Sequence, residues 1–322
     1  MFWPTLATFL FPGFAQALVH RRLRAALWLA GATLLIAAST QTIWAALLVT
    51  PLHLAAAIDG WLCMRRDSRP GRNDRAAAAV LLVLGAITTG LSQAAIEASR
   101  VASSSSYPTV QIGDHILVNK LAHVERGDLI ELRYPCNERV SYVKRIAAIA
   151  GDTVEVRCGT VYVNGTAAAD TLGDGSASYF DYDQDRDAWN ETATQVAASR
   201  ETIGGHSFGI FHARDAERRA IGDFPQDDQP PSCENITDRS AVPQTLGLIA
   251  GSPDDPAKPC VPHRHYVVPP GHVFVLGDNR ENSNDSRRWG SLPLDHVVGR
   301  VIGIWWSRGH DGVDLRRIGR VD

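Results

Sequence analysis

The chain has 322 residues, and its 32 Lys/Arg against 35 Asp/Glu give a formal charge of −3, which excludes a strongly basic nucleic-acid-binding protein. The balance is uneven: residues 1–100 carry nine Lys/Arg and four Asp/Glu, and the remainder carries 23 and 31. A basic, Ala/Leu-rich first part followed by an acidic, mixed second part reads as a membrane anchor joined to a soluble domain, with no nucleic acid among its partners.

Residues 1–19 are apolar and aromatic, but Pro4 and the Pro12-Gly13 step divide them into pieces too short to span a bilayer alone. An interfacial or re-entrant segment is expected there, the alternative being a fourth span. The run does not read as a cleavable leader, because no positive region precedes it and no small-residue site closes it. Three stretches then look long enough to cross a membrane, at about 24–40, 43–63 and 76–96. The last has no charge in 21 residues, or roughly 31 Å of helix. Arginines at 21, 22 and 24 precede the first pair, and a second cluster from Arg65 to Arg75 separates that pair from the third span. Placing both clusters in the cytoplasm sends residue 97 onward to the outside. Asp59 is expected to pair at the interface with Arg65 and Arg66.

Beyond residue 100 the pattern changes to β. Short alternating or apolar runs stand at 115–118, 129–133, 141–149, 153–157, 160–163, 206–212, 272–276 and 297–306, with Gly-Asp and Asn-Gly steps between several of them. Residues 165–265 are rich in Asp, Ser, Gly and Pro and read as an inserted cap subdomain, partly loop, with a little β structure around 204–212. The expected organisation is an anchor over 1–100, a catalytic β domain over 101–164 and 266–322, and the 165–265 insertion.

Of five cysteines, Cys63 ends an apolar segment, and Cys136, Cys158, Cys233 and Cys260 lie in the soluble part. An even number there suits an oxidising compartment and two disulfides, although Cys158 also reads as a small buried apolar residue on the face of Val154 and Val156. The expected pairs are Cys136–Cys158, joined across the turn after Tyr134-Pro135, and Cys233–Cys260, closing a loop within the insertion. No spacing suggests a metal site, and no cofactor is expected.

Three segments carry possible chemistry. Ser103-Ser104-Ser105-Ser106-Tyr107-Pro108-Thr109 leads to Gly113-Asp114. Ser141-Tyr142-Val143-Lys144-Arg145 leads to Gly151-Asp152. Gly277-Asp278-Asn279-Arg280-Glu281-Asn282-Ser283-Asn284-Asp285-Ser286-Arg287 is the third. Taken singly they read as a polar linker, an edge strand with a solvated lysine, and a tight Asx-rich loop. Period 2, however, puts Lys144 on the face of Tyr142 and Ile146, which could bury the amine and favour its neutral form.

Together and in this order the segments resemble the boxes of bacterial signal peptidase I, over residues 103–135, 141–164 and 266–306, with a fainter echo at 201–206. The resemblance implies an N-terminal transmembrane region followed by a mainly-β catalytic domain of antiparallel coiled sheets with an inserted cap. It implies a Ser/Lys endopeptidase of the bacterial inner membrane, multi-pass, with its catalytic domain outside. Its partners would be the signal peptides of exported preproteins, cut after small Ala-x-Ala-like residues, and membrane lipid; it would be monomeric. By position, Ser105 would be the nucleophile and Lys144 its base. Ser283 would orient the amine, and the Ser103 hydroxyl with the Ser105 N–H would form the oxyanion hole. Arg145, Asp278, Asp285 and Arg287 would form supporting ion pairs. Ser106 stands where the family has Met lining the substrate cleft, and Ser104 and Ser106 are alternative hydroxyls, although the spacing to Pro108-Thr109 favours Ser105. The rival readings are a Ser/Lys membrane protease with one dedicated substrate and a non-catalytic, membrane-tethered peptide-binding homologue.

Overall fold

The computed structural model describes residues 2–66, 72–168, 176–183, 185–233, 246–252, 255, 257–319 and 321. The chain divides into two compact units, residues 1–98 with 119–121, and residues 99–118 with 122–322.

The first unit is helical. Helices α1 (Phe2–Leu10) and α2 (Phe14–Leu18) are separated at the Pro12-Gly13 step, where Gly13 has φ of 96° and a Cβ would lie 2.3 Å from the Ala25 carbonyl oxygen. Pro4 does not cut α1 as expected. It sits in the first turn, where its missing N–H has no intrahelical acceptor to lose. Helices α3 (Arg22–Ser39), α4 (Ile43–Arg66) and α5 (Arg72–Ala95) follow. Among the described residues α3 and α4 are long and apolar enough to cross a membrane, and α5 carries the charge-free stretch from Ala76. Part of the second arginine cluster, residues 67–71, lies outside the described residues.

Burial in this unit is inverted relative to a water-soluble bundle. Leu27, Leu34, Leu48, Ile58 and Val83 are exposed, while Gln16, Asp59 and Asp74 are buried. That pattern suits a lipid surround, in which polar groups must find partners inside the protein. Asp59 accepts from Gln16 Nε2 and Trp28 Nε1, both at 2.9 Å, and pairs with Arg24 at 2.5 Å. The expected pair with Arg65 and Arg66 is not formed. Those residues lie six and seven positions on, nearly two turns away rather than one, and Arg65 instead packs over the Trp61 ring at 3.7 Å.

The second unit is built almost entirely of antiparallel sheet. Its strands are β1 (Ile96–Arg100), β2 (Asp114–Asn119), β3 (Leu129–Tyr134), β4 (Asn137–Ile149), β5 (Thr153–Arg157), β6 (Thr160–Val163), β7 (Thr166–Ala167), β8 (Ser176–Asp183), β9 (Ala188–Ile203), β10 (His206–Ala213), β11 (Leu248–Gly251), β12 (Arg264–Val267), β13 (His272–Leu276), β14 (Leu292–Pro293), β15 (Val297–Gly309) and β16 (Gly312–Val313). Short helices α6 (Ala216–Ile221) and α7 (Ser286–Trp289) flank them. The largest sheet runs β1-β2-β15-β3-β4-β13-β14, with β16 paired to β15. A second sheet runs β11-β12-β5-β6-β7, and a third runs β10-β9-β8.

Two apolar cores fix the large sheet. Val154, Val156, Phe208, Phe224, Tyr266 and Phe274 pack on one side, and Ile130, Leu132, Ile146, Val275 and Trp289 form a separate cluster. The expected β runs all fall on strands, but the insertion holds more sheet than its composition suggests. It supplies the three-stranded β8–β10 sheet, and β7 and β11 pair into the second sheet. Parts of it, residues 169–175 and 234–245, lie outside the described residues.

The disulfide expectation is corrected. Cys136 pairs with Cys233 and Cys158 with Cys260, across 97 and 102 residues. The Cys136 turn belongs to the β3–β4 hairpin of the first sheet and is buried with Trp289, whereas Cys158 follows β5 of the second sheet. The two therefore have different neighbours despite their closeness in sequence. Loops of about 100 residues stabilise more by chain entropy than loops of 25, on the order of 4.7 kcal/mol each.

Candidate active site

The site grows from the β3–β4 hairpin. Its register places Ile130 opposite Lys144 and Leu129 opposite Arg145, so adjacent residues of one strand point to opposite faces. Lys144 turns toward the Tyr142 and Ile146 side and is 1% exposed. Its Nζ donates to Ser105 Oγ at 2.6 Å and to the Val143 carbonyl at 3.1 Å, and it lies 4.8 Å from the Tyr142 ring centre. Burial pushes the Lys144 amine down to about 8. The nearby Asp285 and Asp278 carboxylates oppose that shift and Arg287 supports it. Desolvation prevails because each carboxylate already carries its own guanidinium.

Those guanidiniums are the expected supports. Arg145 clamps Asp278 through Nε (2.9 Å) and Nη2 (2.8 Å), and reaches the Gly127 carbonyl at 2.8 Å. Thr109 Oγ1 donates to the same carboxylate at 2.5 Å. Arg287 clamps Asp285 through Nε and Nη2, both at 2.9 Å, and Asp285 also accepts the Gly277 N–H at 3.0 Å. The Arg287 guanidinium beside it holds the Asp285 carboxyl below the usual range despite its burial.

The serine run is tied down residue by residue. The Ser104 hydroxyl accepts from Asn282 Nδ2 at 2.8 Å, and the Ser106 hydroxyl donates to the Val143 carbonyl at 2.6 Å. Ser105 is thus the serine of the run whose hydroxyl meets Lys144. Asn279 fixes its backbone: the Asn279 N–H donates to the Ser105 carbonyl and its Nδ2 to the Ser104 carbonyl, both at 3.1 Å. The Ser103 hydroxyl lies 3.1 Å from Ser105 Oγ on the exposed side.

Ser283 occupies the site without the contact expected of it. Its buried hydroxyl has no well-formed hydrogen-bond partner, and it lies close enough to Asp285 to help hold that carboxyl low. Gly277 separates it from the serine loop: a Cβ there would stand 2.2 Å from Ser283 Oγ and 2.4 Å from the Ser105 carbonyl oxygen. A buried amine, a hydroxyl in its reach and an open face beside them can transfer a proton and add the hydroxyl to a carbonyl without a histidine.

A family profile described as signal peptidase, peptidase S26, matches residues 74–306. The chain belongs to that family. Among its relatives is the signal peptidase I of Aquifex aeolicus, 28% identical over 66% of this chain and 76% of that protein. That of Pseudomonas aeruginosa is 26% identical over 66% of this chain and 65% of its own length, so the chain spans just under two thirds of that relative. Signal peptidase IB of Staphylococcus aureus is 24% identical over 64% and 75%. A crystal structure of a signal peptidase I from Enterococcus faecalis aligns with 56% of this chain and 97% of its own, at 21% identity and a TM-score of 0.26.

In this signal peptidase family member Ser106 is turned inward rather than left open to solvent. It is 1% exposed and bonded to the backbone of Val143. The sequence reading also missed several supports. Arg280 makes a buried two-pronged pair with Glu201 at 2.8 and 2.6 Å, and Arg317 pairs with Asp114 at 2.6 Å while donating to the Thr109 carbonyl. Glu201 opens the faint echo at 201–206, which was the one available signal for its partner. Arg317 had none.

Proposed function

We propose that Ser105 is the nucleophile and Lys144 the general base with which this serine endopeptidase removes signal peptides from preproteins. The observation that carries the reading is the 2.6 Å contact between Lys144 Nζ and Ser105 Oγ at a fully buried lysine. The neutral amine takes the hydroxyl proton as Oγ adds to the scissile carbonyl. The Ser105 N–H and the Ser103 hydroxyl face the developing oxyanion, where fixed donors stabilise charge most. The lysine then returns its proton to the leaving amine, and water releases the signal peptide from the acyl-enzyme by the reverse sequence. Ser283 would act by rotating onto the amine when substrate is bound, since in the free enzyme it is not bonded to it.

The test incubates purified protein and its Ser105→Ala variant with a preprotein in detergent. Cleavage by wild type and none by the variant is expected; equal cleavage by both would refute the assignment.

The chain is further read as a multi-pass inner-membrane protein with residues 64–75 cytoplasmic, the β domain outside and 165–265 serving as a cap. Arginine placement supports the orientation. A membrane-impermeant thiol reagent that labels Pro70→Cys in intact cells would reverse it.

A further inference from the structure

A cavity of about 650 Å³ opens on the β unit and is lined by none of the dyad residues. The end of β1, the start of β2, the β8–β9 hairpin and the end of β15 meet around it. Arg100 and Arg308 line it, and neither guanidinium has a carboxylate partner among the described residues. Arg145, Arg157, Arg280, Arg287 and Arg317 of this unit are held by acids, whereas Arg100 and Arg308 are exposed, as are Arg133 and Arg200, which donate to a carbonyl and to Ser207. His115, His310, Trp189 and Trp306 supply aromatic wall. Among the described residues the cavity lining contains no acid, and acids next to it in sequence have partners of their own: Asp311 has His310 at 2.7 Å, Asp187 the Tyr182 hydroxyl, Asp183 Arg186, Asp181 Asn282 and Asp114 Arg317.

Two unpaired guanidiniums beside indole rings suit an oxyanion attached to something apolar. The planar fork of arginine matches phosphate oxygens, and the rings cover carbon. The chain also says where such a ligand comes from. Arg100 lies five residues beyond Ala95, where α5 ends, and five extended residues reach at most about 17 Å. We infer that this cavity binds the phosphodiester headgroup of an anionic phospholipid at the outer surface of the membrane. The inference rests on the membrane-anchored reading above. A zwitterionic headgroup brings the same phosphate but adds an ammonium close to two arginines, so it binds less well.

The experiment titrates the full-length protein, in a neutral detergent, with a short-chain phosphatidylglycerol below its micelle concentration. Short-chain phosphatidylcholine, inorganic phosphate and an acidic peptide are titrated in parallel by calorimetry. The expected result is saturable binding of phosphatidylglycerol, at least tenfold tighter than the other three. Arg100→Gln with Arg308→Gln should weaken it at least tenfold, and the paired Lys variants, which keep both charges, should retain most of it. Equal binding of the two lipids, undiminished binding by the Gln pair, or tighter binding of phosphate or peptide each overturns the inference. Running the series on Ser105→Ala as well separates it from the catalytic reading, because headgroup binding does not need the nucleophile.

Discussion

Replacing Lys144 tests the chemistry and the energetics of the site at once. With the amine pushed down to about 8, about 9% is neutral at pH 7 and about 90% at pH 9, so cleavage should rise roughly tenfold over that interval. An ordinary lysine would be only ~0.03% neutral at pH 7, some 300-fold less. Lys144→Arg should abolish turnover, because a guanidinium keeps its proton throughout. Lys144→Met should abolish it too while making the protein more stable. A lysine whose folded pKa lies below its unfolded value binds protons better when unfolded, so its penalty is fully present below about pH 8 and is relieved as pH rises from there toward 10.5. Removing the amine should therefore stabilise the fold at pH 7 by up to about 3 kcal/mol, and by little near pH 10.5. The assays are a pH–rate profile of preprotein cleavage and denaturant unfolding at pH 7 and 10. A flat profile from pH 6 to 10, or substantial cleavage by folded Lys144→Met, would refute the reasoning.

Gly277→Ala should fold but lose on the order of 10²-fold in kcat, because its Cβ would displace Ser283 or the Ser105 carbonyl by an ångström or more; wild-type kcat in steady-state cleavage would show that the close approach is unimportant. Peptide mapping of non-reduced protein should recover Cys136 with Cys233 and Cys158 with Cys260; recovery of Cys136 with Cys158 would contradict the packing of the first hairpin turn against Trp289.

What could be read in the sequence came chiefly from three short motifs that together resemble those of signal peptidase I. Ser105 and Lys144 sit in short motifs of fixed spacing, and period 2 on β4 was enough to place the lysine among Tyr142 and Ile146. That Arg145, Arg287, Asp278 and Asp285 form ion pairs was implied by the resemblance, and the structure supplies which arginine meets which acid. What could not be read depends on which distant segments meet. Cys136 and Cys158 are 22 positions apart, yet they belong to different sheets. Asp59 takes its cation from α3, not from its own helix. The β8–β9 ribbon escaped notice because Tyr179, Phe180 and Tyr182 sit among Asp and Ser residues that otherwise signal loop. Ser283 had the right neighbourhood, but its hydroxyl is unbonded in the free enzyme, a matter of rotamer that no spacing reports.

The wide spacing of the two disulfides has a consequence for how the molecule withstands damage. Lys144 and Ser105 come from the chain before residue 150, and Ser283 with its loop from the chain after 276, so one backbone cut in the segment between Cys233 and Cys260 would sever the two contributions. The Cys158–Cys260 bond spans such a cut, and the fragments would travel as one molecule until a reductant separates them. In a compartment exposed to other proteases, the long Asp- and Pro-rich segment can then be nicked without parting the hydroxyl and amine from the loop that supports them.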